Sequence, residues 1–282
     1  MRPLLAAFTF LAALPATAEP QVVTDIAPVH SLVAQVMGDL GTPALLLDAS
    51  ADPHHITLRP SQARALAGAD VVFWIGPALT PWLAKSVAAL PDHAQSVALT
   101  DLAGTRLIEL TASQIDPHAW LDPDNATLWL AVIADTLAGL DPDNAATYAA
   151  NAKAAAENLQ TLAADLGAQL APLGDAHFLV AHDAYGYFAR RFGLNLTEAI
   201  SDTDAAAPSA ARLAALHAIV PAITCAFREP QQSPAALDTL LAGTDIPQTT
   251  LDPLGTTLPP GPALYPDLIR AMADAITTCA AH

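Results

Sequence analysis

Three histidine-bearing blocks stand far apart in this chain: Asp52-Pro53-His54-His55, Asp116-Pro117-His118-Ala119-Trp120 and His182-Asp183-Ala184-Tyr185. A fourth block, Leu251-Asp252-Pro253-Leu254, adds a carboxylate. Neutral imidazole is the commonest protein ligand for a transition metal, and three imidazoles completed by one carboxylate or water suit tetrahedral zinc. Asp-Pro-His occurs twice, and proline restricts the loop in a way that suits a preorganised ligand. The acidic neighbours Asp52, Asp116 and Asp183 either accept from the far nitrogen of an imidazole and fix its tautomer or serve as turn and cap residues. Spacing alone does not choose between His54 and His55. His93, His177, His217 and His282 lack such a setting and are read as structural.

The elements that must position these residues alternate. Short β-rich runs at 22–26, 44–47, 71–75 and 96–99, and again at 178–181, 195–199, 222–227 and 248–251, are separated by Ala- and Leu-rich stretches. That alternation predicts parallel sheets built from βαβ units. Between the two sets lies an Ala-rich stretch opened by Asp141-Pro142-Asp143-Asn144 and closed by Pro172 and Gly174, with Tyr148, Leu159, Leu162, Leu166 and Leu170 at helical spacing. A helix of about 29 residues there would run roughly 43 Å and join two α/β domains. The expected organisation is a leader at 1–18, a first α/β domain at 19–140, a linking helix at 141–172 and a second α/β domain at 173–282. Ligands of open parallel sheets collect beyond the carboxyl ends of the strands. His54, His182, Asp252 and His30 each follow a predicted strand, and His118 precedes the turn into a helix at Trp120-Leu121-Asp122-Pro123. Two domains facing across a cleft would bring the ligands together. His30 is expected to pack in the core, with a contact behind the metal site as the alternative.

Arg2, an apolar run over 4–14 and the small residues Ala16-Thr17-Ala18 have the layout of a secretory signal peptide. The mature chain is therefore expected to begin at Glu19. The apolar run falls short of the roughly 18 residues that a membrane span needs, and no later stretch reaches that length. Loss of Arg2 from 11 basic residues leaves 10 against 28 acidic ones, a net of −18 with His neutral. Such a surface repels nucleic acid and anionic lipid. The two cysteines, Cys225 and Cys279, are expected to pair in an exported protein, tying the 222–227 segment to a C-terminal helix. Neither neighbours a histidine in sequence, which argues against a thiolate metal site.

These motifs together resemble a family. Asp52-Pro53-His54-His55-Ile56-Thr57-Leu58-Arg59-Pro60-Ser61 resembles the first ligand motif of the zinc-binding receptors of bacterial ABC importers (ZnuA type, cluster A-I). Ala69-Asp70-Val71-Val72-Phe73-Trp74-Ile75-Gly76-Pro77 is similar to the strand and loop that follow it. His118-Ala119-Trp120-Leu121-Asp122-Pro123 resembles the second ligand motif, and His182-Asp183-Ala184-Tyr185-Gly186-Tyr187-Phe188 the third. Cys225-Ala226-Phe227-Arg228-Glu229-Pro230-Gln231, Leu251-Asp252-Pro253-Leu254-Gly255 and Cys279 carry the likeness to the C-terminus. The resemblance implies two α/β domains joined by one long helix, a metal site in the cleft at His54, His118 and His182, and a Cys225–Cys279 disulfide. It favours His54 over His55, leaving His55, His30 and Asp183 as alternates or supporting residues. Pro53 stands where some zinc receptors carry an acidic residue, so the fourth position falls to Asp252 or water. The 102–115 segment is short and lacks the histidines found there in many zinc receptors.

By that resemblance the protein is a periplasmic binding protein that captures Zn2+ and hands it to an ABC permease with its ATPase subunit. It is expected to be monomeric and to catalyse no reaction. Glutamate typically replaces the third histidine in manganese receptors of the cluster, and three nitrogen donors favour zinc over manganese. Binding should weaken as acid protonates imidazole, in the ordinary histidine range near ~6.5. Rival readings are a receptor of the same fold for another divalent metal, an adhesin of that fold, and an exported zinc hydrolase. The last lacks any His-Glu-x-x-His or Gly-x-Ser-x-Gly motif.

Overall fold

The computed structural model describes residues 19–48, 51, 53–54, 56–201 and 208–281. The expected leader, Asp52 and His55 lie outside the described residues. The first lobe comprises β1 (Val22–Thr24), α1 (Ala27–Met37), β2 (Ala44–Leu45), α2 (Pro60–Ala67), β3 (Val71–Trp74), α3 (Pro81–Val87) and β4 (Gln95–Ala98). A hairpin of β5 (Glu109–Thr111) and β6 (Gln114–Ile115) leads to α4 (Pro123–Leu140) and α5 (Ala145–Leu170). The second lobe comprises β7 (His177–His182), α6 (Gly186–Phe192), β8 (Asn195–Ser201), α7 (Ala210–Ile219), β9 (Cys225–Arg228), α8 (Ala235–Leu240), β10 (Gln248–Thr250) and α9 (Leu264–Ala280). Each of the eight expected strand segments contains a strand. The hairpin within 102–115 is an addition that sequence reading did not supply.

Both main sheets are parallel, ordered β2-β1-β3-β4 and β10-β9-β7-β8. Counted from the first strand of each lobe, both follow the order second, first, third, fourth. The order reverses between first and third strands, where open α/β sheets hold ligands. Strands covered on both faces read as continuous apolar runs, and Val71-Val72-Phe73-Trp74 is buried throughout.

The long helix is present. α5 has 26 residues, about 39 Å at 1.5 Å per residue, with 3-10 turns at Pro142–Asn144 and Ala171–Leu173. Its buried positions Tyr148, Ala152, Ala155, Leu159, Leu162 and Leu166 recur every three or four residues. This stripe packs along α4 and onto α1 and α9, and each fully buried leucine contributes about 1.5–3 kcal/mol. The C-terminal helix α9 thus leaves the second sheet and packs against α1 of the first lobe. The Ser31 hydroxyl donates to Pro262 O (3.0 Å) and accepts from Tyr265 N–H (2.9 Å) at this crossing. One apolar core consequently runs from Val22 to Cys279 through both lobes.

Cys225 and Cys279 form a disulfide across a separation of 54 residues, fastening the end of α9 to β9. Closing a loop of that size stabilises the fold by about 4 kcal/mol in the chain-entropy model. Replacing both cysteines by alanine should lower stability by about 2–4 kcal/mol, read by denaturant unfolding. A loss under about 1 kcal/mol would show that α9 is held by packing alone.

At the reversal point of the first sheet, Asp25 is fully buried. Its carboxylate accepts from Ile26 N–H (2.8 Å) and Ile75 N–H (2.9 Å), joining the ends of β1 and β3. Burial outweighs these backbone bonds and pushes the Asp25 carboxyl up to about 7. The folded state therefore holds a proton that the unfolded chain has released, so this group's contribution to stability falls as pH rises from about 4 to about 7. The stability difference between wild type and Asp25→Asn should move in the variant's favour across that window. Unfolding curves that keep a constant difference would rule out a buried protonated acid.

Candidate metal centre

The first ligand block lies in the turn between β2 and α2. Pro53 is buried and its carbonyl accepts from Trp82 Nε1 of α3 (2.8 Å), so His54 sits on an anchored turn. The far side of the loop is held by Gln62, whose Oε1 accepts from Arg59 N–H (2.6 Å) and whose amide donates to Leu46 O. The Arg59–Asp48 ion pair at 2.8 Å is exposed on both sides and contributes little.

His118 opens the 3-10 turn Ala119–Leu121 and is buried, with 5% exposure. Asp116 Oδ1 accepts from its backbone N–H (2.9 Å) and lies 2.7 Å from its Nδ1. His182, 3% exposed, ends β7. Glu229, directly after β9, places Oε1 2.8 Å from His182 Nδ1, and the Gln232 amide lies 2.9 Å from the same nitrogen. Both rings thus spend Nδ1 on a buried carboxylate and turn Nε2 inward. The two Nε2 atoms stand 3.4 Å apart.

That separation has a direct chemical reading. Two nitrogens about 2.05 Å from a tetrahedral zinc ion are about 3.3 Å apart. A proton on each Nδ1, held by its carboxylate, would turn both Nε2 lone pairs to one point, an arrangement that suits a cation. The His118 and His182 ring centres are 5.2 Å apart, and the His54 ring is 5.8 Å from that of His118. All three rings therefore gather about His118. Among the described residues, no three His, Cys, Asp or Glu side chains are drawn close enough to hold an ion as they stand; His54 is the outermost of the three. A cavity of about 50 Å³ opens on His118, His182 and Glu229 beneath Pro53, Trp120 and Pro253. It has room for an ion with a water, far below the roughly 300 Å³ of the smallest drug-sized sites.

Residues behind the rings brace them. Trp120 packs on His118 (centroids 5.2 Å) and donates from Nε1 to Pro253 O (2.8 Å) in the second lobe. Tyr265 of α9 donates to Trp120 O (2.7 Å). The Tyr185 hydroxyl lies 2.8 Å from Glu229 Oε1 and 3.0 Å from Leu251 O. The Tyr187 hydroxyl donates to Asp116 O (2.7 Å). Burial raises the Tyr187 and Tyr265 hydroxyls above their ordinary range, which keeps both as donors. Burial likewise raises the Asp122 carboxyl, which caps α4 by accepting from Asp124 N–H (2.9 Å).

Other expected residues fall elsewhere. Asp252, the carboxylate expected as a fourth donor, is not on the cavity wall. Its Oδ1 accepts from Leu254 N–H (3.0 Å), Gly255 N–H (3.1 Å) and Gln231 Nε2 (3.1 Å), and its Oδ2 from Thr256 N–H (2.6 Å) and the Thr256 hydroxyl (2.7 Å). Five donors make it the knot of a turn. His30 is bound to Pro43 O (3.1 Å) and lines a separate groove between α1 and α5; burial lowers its basicity. Asp183 is exposed at the end of β7, its N–H bonded to Ser201 O (3.2 Å). Asp116 does stand behind His118. Glu229, the corresponding carboxylate behind His182, was missed as a partner; its place just past the carboxyl end of β9, beside β7, was the available signal.

A two-lobed α/β receptor with a buried imidazole cluster between its lobes is the class that this fold and site define. Residues 22–279 match the family described as Zinc-uptake complex component A periplasmic (ZnuA). The chain is 42% identical to the high-affinity zinc uptake system protein ZnuA of Paracoccus denitrificans over 98% of its own length and 96% of the relative's. A zinc-bound ZnuA deletion mutant superimposes with a TM-score of 0.81 at 27% identity, covering 92% of this chain and 96% of that one. The periplasmic zinc binding protein TroA from Treponema pallidum shares the fold, with a TM-score of 0.83 at 20% identity over 94% of this chain and 100% of that one. The chain belongs to the ZnuA family.

Nitrogen-15 spectra of the metal-free protein at neutral pH should show His118 and His182 both as the Nδ1-protonated tautomer. The opposite tautomer at either ring would mean that its Nε2 carries the proton and offers no lone pair to the cavity.

Proposed function

We propose that this protein captures a zinc ion in the periplasm and delivers it to the permease and associated ATPase of an ABC importer, catalysing no reaction itself. The observation that carries this reading is the pair of inward Nε2 atoms at 3.4 Å, each with its opposite nitrogen beside a buried carboxylate. Carboxylate–histidine–metal arrays of this kind fix ring orientation and strengthen the ligand. His54 supplies the third nitrogen by a small inward movement of its turn. Water takes the fourth position, because the Asp252 oxygens are engaged elsewhere. Three nitrogen donors favour zinc over manganese. Membership of a family described as periplasmic and concerned with zinc uptake supports the compartment, the cargo and the transport partner, as does the layout of residues 1–18. The cavity volume of about 50 Å³ weighs against a hydrolase of organic substrates, which would need several times that space.

Calorimetric titration of chelator-stripped protein with zinc and manganese tests the assignment. Zinc should bind more tightly than manganese. His54→Ala, His118→Ala and His182→Ala should each weaken zinc by more than the 10–100-fold typical of outer partners. Asp252→Asn should change it by less than about tenfold. Tighter manganese binding would make this a manganese receptor. A loss in Asp252→Asn equal to that in the histidine variants would restore the carboxylate as a ligand.

A further inference from the structure

The segment from His182 to Tyr187 does more than supply one imidazole. Tyr185 contacts Glu229, the carboxylate beside His182, within the second lobe. Tyr187 reaches into the first lobe. Its hydroxyl accepts from Ile108 N–H (3.0 Å) and donates to Asp116 O (2.7 Å). Ile108 and Asp116 flank the β5–β6 hairpin and are themselves joined, Asp116 N–H to Ile108 O (2.9 Å). One buried phenol therefore clasps both strands at the root of the hairpin, and that root carries the carboxylate holding His118 Nδ1. Gly186 lets the two segments meet: a Cβ there would lie 3.2 Å from Asp116 Oδ2 and 3.2 Å from Ile108 Cδ1.

We infer that Tyr187 is a positioning residue for metal capture, setting the place of His118 from the opposite lobe through the main chain of Ile108 and Asp116. This rests on the zinc-capture reading above. The consequence is that the lobes are registered at His118 before any ion arrives, so a change in the seat of α6 alters the distance between the His118 and His182 nitrogens directly.

The test uses Tyr187→Phe, which keeps the ring and removes both bonds, with Tyr148→Phe as the control. The Tyr148 hydroxyl donates to Asp141 Oδ2 (3.0 Å) at the turn between α4 and α5, apart from the three rings. Zinc affinity is measured by chelator competition, and cobalt is substituted so that its visible absorption reports ligand geometry. Tyr187→Phe should weaken zinc by 10–100-fold and alter the cobalt spectrum, whereas Tyr148→Phe should lower the melting temperature and leave both unchanged. Affinity within twofold of wild type and an unaltered spectrum in Tyr187→Phe would overturn the inference, as would equal losses in both variants. His118→Ala separates the two levels. If it also leaves zinc binding intact, the metal-centre reading fails along with this one; if it abolishes binding while Tyr187→Phe does nothing, only the present inference fails. Should Tyr187→Phe not fold, amide exchange in metal-free wild type decides. The Ile108 amide should be protected by its bond to Tyr187, and exchange at the rate of an open loop would overturn the inference.

Discussion

Two buried imidazoles that present the same kind of atom to each other impose the constraint on which the rest of this structure depends. His118 and His182 are each tied at Nδ1 to a carboxylate, so their Nε2 lone pairs oppose one another at 3.4 Å. Each ring is fixed on its Nδ1 side, so neither nitrogen can be turned away without breaking a buried contact. The protein holds them there, from opposite lobes. Their places are fixed by bonds that cross between the lobes: Trp120 to Pro253, Tyr187 to Asp116, and Tyr265 to Trp120. A fold that stitches two rings together from opposite lobes holds both nitrogens to one point.

The same stitching restricts how the lobes can move. Receptors whose lobes are joined by flexible strands close like a hinge. Here α5 runs about 39 Å, α9 crosses back onto α1, and a single apolar core is shared. Opening such a molecule widely would expose core surface at roughly 25 cal/mol per Å². Motion is therefore cheapest in the loops, among them the turn that bears half-buried His54, where Pro53 O is bonded to Trp82.

Much of this was legible in the sequence because it depends on local pattern. The eight strands of the two main sheets, the long helix with its stripe from Tyr148 to Leu170, and the Asp116–His118 pairing all follow from periodicity or near neighbours. What was not legible depends on which distant segments meet. The Glu229 carboxylate has no local signature and is readable only from topology, since its partner His182 is 47 residues away on the neighbouring strand. Asp252 was expected as the fourth donor or replaced there by water; what its Asp-Pro-Leu-Gly sequence left unread is a turn in which five donors lie within reach of its two oxygens. The crossing of α9 to the first lobe is written only in packing: Ser31 and Tyr265 are 234 residues apart.

The two lobes share one strand order but use its reversal point differently. In the first lobe, Asp25 fills the place with a carboxyl whose oxygens are bonded to the backbone of Ile26 and Ile75. In the second lobe, the equivalent place holds His182, with Glu229 behind it. The carboxylates of Glu229 and Asp116 each stand beside the Nδ1 of a ring whose Nε2 faces inward. Carboxylates so placed raise the donor strength of the nitrogens of the rings they face. A centre built in this way places two acidic groups near a divalent cation while presenting nitrogen as the contact atom. Such a donor set suits a borderline ion with low coordination number better than a hard one that prefers oxygen.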